Sequence, residues 1–249
     1  MNLLRYFNNL LKILNDFPEW KIIAIIFTFS IAIGSLASYL FYNESPDGDA
    51  ALYYKDAVLL SQDYSNLLHS PEIGLVESFN IIFQGLAFMM PGNDFVNVYI
   101  LQILVFSITA VFIFKLAQNF LNNPLAVIVV MFYIINNKHW FHIYNFKPGV
   151  WVNLWIVLIL YFAYRVIQKP QNRLNYLLLS VFSGFLLLTD LRYLPHLLFI
   201  YFMFLFLRIG YGYKVQYLSL SAIIIIGIIS PWILRQSLVF DRFIFISDL

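Results

Sequence analysis

Residues 174–207 read LNYLLLSVFSGFLLLTDLRYLPHLLFIYFMFLFL, and the way this stretch is divided decides the fold. As a single helix it would extend about 51 Å, well past the roughly 30 Å of a bilayer's hydrocarbon core. Asp190, Arg192 and Pro195 interrupt it, and two charges plus a missing backbone donor belong at a membrane surface. The stretch therefore reads as two membrane helices joined by a tight hairpin.

The rest of the chain supports the same solvent. Its 249 residues are 61% hydrophobic and 11% charged, which excludes a soluble domain. The apolar runs are continuous rather than alternating, so helices are the spanning solution and a β-barrel is excluded. The 26 Phe and 17 Tyr suit lipid-facing helices with interfacial anchors. The absence of cysteine removes disulfides, thiolate metal sites and a Cys nucleophile. A net charge of +2 with no basic stripe gives no support to a nucleic-acid partner.

Spans are expected near 22–42, 96–114, 120–137, 150–166, 174–189, 194–208 and 216–234, making an all-α polytopic membrane protein of about seven transmembrane helices. The third is the shortest, with a clean apolar part only from Pro124 to Ile135, and its loss would invert everything downstream. With the N-terminus inside, Arg5, Lys12, Lys21, Lys115, Arg165, Lys169, Arg173, Arg208 and Lys214 fall on inner loops. Lys55, Lys138, Lys147, Arg192, Arg235 and Arg242 fall on outer ones. Nine cations against six favour a cytoplasmic N-terminus. Of the acids only Asp16 and Glu19 then lie inside, so chemistry is to be sought on the extracytoplasmic face. Ser35-Leu36-Ala37 resembles a cleavage site, but the length of the first run and of its leader favours an uncleaved anchor.

The first extracytoplasmic loop, 43–95, is long enough to be functional. It opens on Pro46-Asp47-Gly48-Asp49, where Asp47 or Asp49 is a competent N-cap for a short helix through Ala57. From Glu72 to Met90, Ile73, Val76, Phe79, Asn80, Phe83, Leu86 and Ala87 recur at helical spacing, with Glu77 and Gln84 on other faces, as in an interfacial amphipathic helix. Between the third and fourth spans, Asn137 to Gly149 carries His139, His142 and Lys147. Its plain reading is an aromatic and cationic anchor, and two imidazoles at i and i+3 without a third ligand make a poor metal site. Asp190 and Arg192 read plainly as a self-neutralising ion pair, and Arg235 as a cation snorkelling past the last helix.

The order of these features resembles the GT-C superfamily of membrane glycosyltransferases, in particular the dolichyl-phosphate-mannose protein mannosyltransferase-like and lipid A aminoarabinose transferase-like branch, across nearly the whole chain. Asp49, Tyr53 and Ala57 keep the spacing of that family's first-loop acidic motif, GFLLLTDLRYLPHLL resembles its Gly-Leu-rich helix, and PWILRQSLVFDRFIFIS resembles its Pro-Trp-x-x-Arg-Asn segment with a following Phe-rich strand. The chain departs at Ala50, where many relatives carry Glu, and at Gln236, where they carry Asn. Relatives also continue past the position of Leu249 into further helices and often an extracytoplasmic domain. The resemblance thus covers a single conserved module, 1–249, and allows for a second polypeptide completing the transferase.

What the resemblance implies is a multi-pass plasma (inner) membrane enzyme that moves a sugar from a polyprenyl-phosphate donor to an acceptor hydroxyl, with inversion. Asp49 is the implied general base and Asp47 the residue orienting the acceptor or sharing a divalent cation, although two acids supply few ligands for one. Lys55, Arg192 and Arg235 are the implied contacts to the donor phosphate. Tyr53, His139 and Lys147 complete the set of substrate-binding candidates. The alternative is a lipid-handling subunit or truncated inactive homologue in envelope glycan assembly, which would use the same lipid groove without a base. An ion-coupled transporter is disfavoured, because no acid falls in mid-span.

Overall fold

The computed structural model describes residues 17–41, 46, 48–66, 70–71, 73, 78–92, 94–206 and 211–241. Among the described residues the regular structure is entirely helical: α1 (Glu19–Leu40), α2 (Asp49–Gln62), α3 (Ser78–Phe88), α4 (Asp94–Ala117), α5 (Asn123–Ile135), α6 (Asn137–Ile143), α7 (Gly149–Gln168), α8 (Arg173–Thr189), α9 (Leu194–Met203) and α10 (Tyr211–Phe240). Short 3-10 segments at Leu191–Tyr193 and Phe204–Phe206 flank α9.

Every expected span coincides with a helix. Four are long and apolar enough to cross a membrane: Glu19–Leu40, Phe95–Ala117, Gly149–Gln168 and Lys214–Phe240. The others, Asn123–Ile135, Arg173–Thr189 and Leu191–Phe206, are apolar but shorter. The 13 residues of α5 rise only about 20 Å. Asp190 divides the 174–207 stretch as its charges require, ending α8 and accepting from the Arg192 backbone N–H at 3.0 Å to start the 3-10 turn.

The long helices pack in series, α1 on α4, α4 on α7, α7 on α8 and α8 on α10, with α5 beside α4. Small residues set the closest approach, as expected where lipid supplies no hydrophobic drive between helices. A Cβ on Gly184 of α8 would stand 2.9 Å from Ile228 of α10. Ser180 donates to the Ser221 hydroxyl at 2.8 Å, and Ser183 pairs with the Tyr201 hydroxyl at 3.2 Å, so α8 is hydrogen-bonded to both α10 and α9.

The two ends of the bundle differ. At one, Lys115 pairs with Glu19, and Asn175 donates to the Arg165 carbonyl at 3.3 Å. At the other lie α2, α3 and α6. Here the structure corrects several expectations. The first loop helix starts at Asp49 and runs past Ala57 to Gln62. The second is Ser78–Phe88, shorter than 72–90, and Glu77 lies outside the described residues. It packs against α2, α4 and α8, with the Phe79 ring 5.3 Å from Trp151 and 5.1 Å from Trp155. Gln84, expected on a solvent face, is 1% exposed. Helix α10 continues to Phe240, and the Phe-rich stretch from Arg242 onward, where the resemblance implied a short strand, lies outside the described residues.

Candidate functional site

The site is built where α2 begins. Gly48, at φ +53°, occupies the N-cap position in a conformation that favours glycine, and Asp49 is the first helical residue. Asp49 makes no capping hydrogen bond, which overturns its reading as an N-cap. The carboxylate instead points outward, 75% exposed, and its Oδ2 accepts from Lys147 Nζ at 3.4 Å. Its charge in the first turn also suits the helix dipole. Asp47 lies outside the described residues.

Lys147 is presented by a connection that the bundle holds rigidly. Asn80 Nδ2 and Gln84 Nε2, one turn apart on α3, donate to the Phe146 carbonyl at 2.8 and 2.6 Å. Gln102 Nε2 of α4 donates to the Asn145 carbonyl at 3.1 Å. A backbone carbonyl only accepts, so the amide nitrogens must face it, and the connection between α6 and α7 meets its backbone demand through side chains. The Phe146 ring, 1% exposed, wedges against Tyr54 at 5.6 Å and Phe95 at 5.5 Å. Sequence reasoning counted Asn80 with an apolar stripe and gave Gln102 no role. The available signal was a set of amides set into otherwise apolar helices.

The two imidazoles sit on α6 at the expected helical spacing. His139 Nδ1 lies 3.2 Å from Asn153 Nδ2, and its ring packs 4.4 Å from Tyr133. His142 lies over Gly149, where a Cβ would come within 2.2 Å of Nδ1. Burial holds both below the ordinary imidazole value, and the pair's own proximity for His139 and the Lys147 charge for His142 push the same way. Among the described residues no group of three or more His, Cys, Asp or Glu converges as metal ligands. Asp49 is a poor fit for a divalent cation as well, because the Lys147 ammonium stands against the carboxylate that would hold it.

The remaining candidates separate. Tyr53 is 6% exposed and faces the core, whereas Lys55 is exposed on the opposite side of α2. Arg192 chelates Asp190 through Nε at 2.9 Å and Nη2 at 2.7 Å, the self-neutralising pair the sequence suggested, with Arg192 70% and Asp190 6% exposed at the side chain. Arg235 does not snorkel. It is 5% exposed, and its Nη2 donates to the carbonyls of Ser70 at 2.6 Å and Ile73 at 3.1 Å.

Beside the 3-10 turn that carries Arg192 runs an apolar groove of about 460 Å³, lined by Ile156, Leu160, Leu186, Leu197 and Ile200, with Tyr193 and His196 also in its lining. Its walls come from α7, α8 and α9, and Leu160 and Phe199 are exposed at 44% and 63%. The structure therefore offers an open carboxylate beside an ammonium and, lined by other residues, an apolar groove that includes Tyr193, the neighbour of Arg192 in the chain. No protein-family model, curated protein or solved structure matches this chain.

Proposed function

We propose that the protein is an integral membrane glycosyltransferase that takes its sugar from a polyprenyl-phosphate donor and passes it to an acceptor hydroxyl on the extracytoplasmic face. The observation that carries this reading is the exposed Asp49 carboxylate beside Lys147, in a fold that also holds an apolar groove next to the Arg192 turn. In this reading all seven apolar helices cross the bilayer, with the shorter ones accommodated by local thinning. The cation count sets the N-terminus in the cytoplasm.

The chemistry needs few groups. The prenyl chain lies in the groove, which removes its apolar surface from water, while Arg192 and Lys55 attract the phosphate at headgroup level. The acceptor oxygen attacks the anomeric carbon as its proton passes to Asp49. The bond from that carbon to the phosphate oxygen breaks with its electron pair, releasing polyprenyl phosphate and inverting the centre. Lys147 sits beside the Asp49 carboxylate, and His139 and His142, uncharged at neutral pH, stand on α6 just before the connection that presents Lys147.

The test is direct. Purified protein is incubated with a panel of polyprenyl-phosphate sugars, and release of the free lipid phosphate is followed. Release that requires Asp49 supports the reading, and the lack of release from every donor, alone or with candidate acceptors, removes it.

A second reading is favoured by one observation: no residue of the groove's lining belongs to the Asp49 site. A protein that only binds or passes on the lipid uses the groove alone. Lipid binding that survives Asp49→Asn with no turnover in either form supports this alternative.

A further inference from the structure

Arg235 stands near the end of α10 with its guanidinium turned into the protein. Nη2 bridges the Ser70 and Ile73 carbonyls, Nη1 donates to Gln236 Oε1 at 2.9 Å, and the Trp232 ring lies 5.1 Å away. Asp56, 4% exposed on α2, is the acid whose charge acts on it. A guanidinium withdrawn from water is tolerated only where its donors are met and its charge is balanced. Both conditions are met here by parts of one unit: Asp56 on α2 and the turn between α2 and α3.

Asp56 follows Asp49 on the same helix by about two turns. The same face of α2, one turn on from Asp56, packs against α3, where a Cβ on Gly85 would come 2.9 Å from Leu60. Beyond the end of this helix, Asn66 Nδ2 donates to the Leu59 carbonyl at 3.0 Å, and the Asn66 carbonyl accepts from the Ser70 N–H at 3.0 Å, so the carbonyls that Arg235 holds are tied back to the helix that carries Asp49.

We propose that Arg235 is a positioning residue: through the Ser70 and Ile73 carbonyls it ties the segment that follows α2 to α10, and so sets where Asp49 meets Lys147. This assigns it work inside the fold rather than on a donor phosphate, because a headgroup would have to displace two carbonyls already held by Nη2. Its effect on rate rests on Asp49 being the general base, whereas the lock itself does not.

The chain has no cysteine, so nitroxide labels on Leu52→Cys of α2 and Phe141→Cys of α6, exposed at 53% and 42%, are unique. The distance between them is measured by pulsed electron paramagnetic resonance on the whole chain in lipid nanodiscs. The native protein should give one narrow distribution. Arg235→Gln should broaden it, Asp56→Asn should broaden it less, and Arg235→Lys should recover part of it by keeping a charge that reaches one carbonyl. Binding of undecaprenyl phosphate to the same nanodiscs should hardly change, while turnover falls about 10- to 100-fold in kcat with KM kept. If Arg235→Gln does not fold, Asp56→Asn decides. A distribution that stays narrow in the variants, or lipid binding lost at constant distance, overturns the proposal. Absence of turnover in the native protein would count against the transferase reading while the distance still decides the lock.

Discussion

Asp49 and Lys147 are 98 residues apart in the chain and 3.4 Å apart in space. The contact depends on three amides, Asn80, Gln84 and Gln102, that grip the residues just before Lys147. An exposed pair of this kind adds little stability, about 1 kcal/mol or less. The fold therefore holds Lys147 near Asp49 for reasons other than their mutual attraction.

Replacing the carboxylate should separate chemistry from folding. Asp49→Asn is expected to leave the melting temperature within a few degrees of native, since the side chain is 75% exposed. Release of polyprenyl phosphate should fall by at least about 100-fold. Full turnover in a folded Asn variant would remove Asp49 from the base role.

The amide clamp should matter to stability. Gln84→Met keeps the volume but leaves the Phe146 carbonyl with one donor fewer. The cost should be about 1–3 kcal/mol, and Asn80→Leu together with Gln84→Met should cost more than either alone. Thermal unfolding in detergent measures it, and an unchanged midpoint for the double variant would mean the clamp holds nothing.

Gly149→Ala forces a methyl group into His142, with no room short of moving the ring. A loss of about 1–3 kcal/mol is expected. The double variant Gly149→Ala, His142→Ala should regain much of it, because the obstructing ring is gone. A single variant as stable as the native protein would show that the ring swings aside freely.

Acid should loosen this corner. Both imidazoles are held below their ordinary value of 6.5, mainly by burial, so the folded state binds protons less readily than the unfolded chain. Their contribution is therefore complete above that value and is lost as pH falls through the lower folded values. Stability should drop on acidification from about pH 6.5, and His139→Gln with His142→Gln should flatten the slope. Equal slopes in both proteins would place the titration elsewhere.

Filling the groove tests the lipid path. Ile200→Trp puts a large ring against Ile156 and Leu186 and should weaken undecaprenyl phosphate binding about tenfold or more while α9 still folds. Binding equal to that of the native protein would show that the prenyl chain lies elsewhere.

Much of the architecture was legible because it follows from local hydropathy. Spans of apolar residues punctuated by Asp190, Arg192 and Pro195, or by Lys115 and Asn122, mark helix ends wherever backbone donors and charges must leave hydrocarbon. The Asp190–Arg192 pair was legible for the same reason, since its partners lie two residues apart. The roles of Arg235 and Gln84 were not legible. A cation past an apolar helix suggests snorkelling, and a Gln on a short helix suggests water, unless the carbonyls that will receive them are known.

The amino-acid sequence by itself determined that this chain is helical, with runs long and apolar enough to cross a membrane, and where its apolar helices lie along the chain, because those properties depend on what each segment costs to place in lipid. Only the tertiary structure decided which polar groups meet. It brought Asp49 to Lys147, turned Arg235 inward to the Ser70 and Ile73 carbonyls and shaped the groove between α7, α8 and α9. Those pairings join residues far apart in the chain, and such contacts are set by how the helices pack rather than by any local pattern.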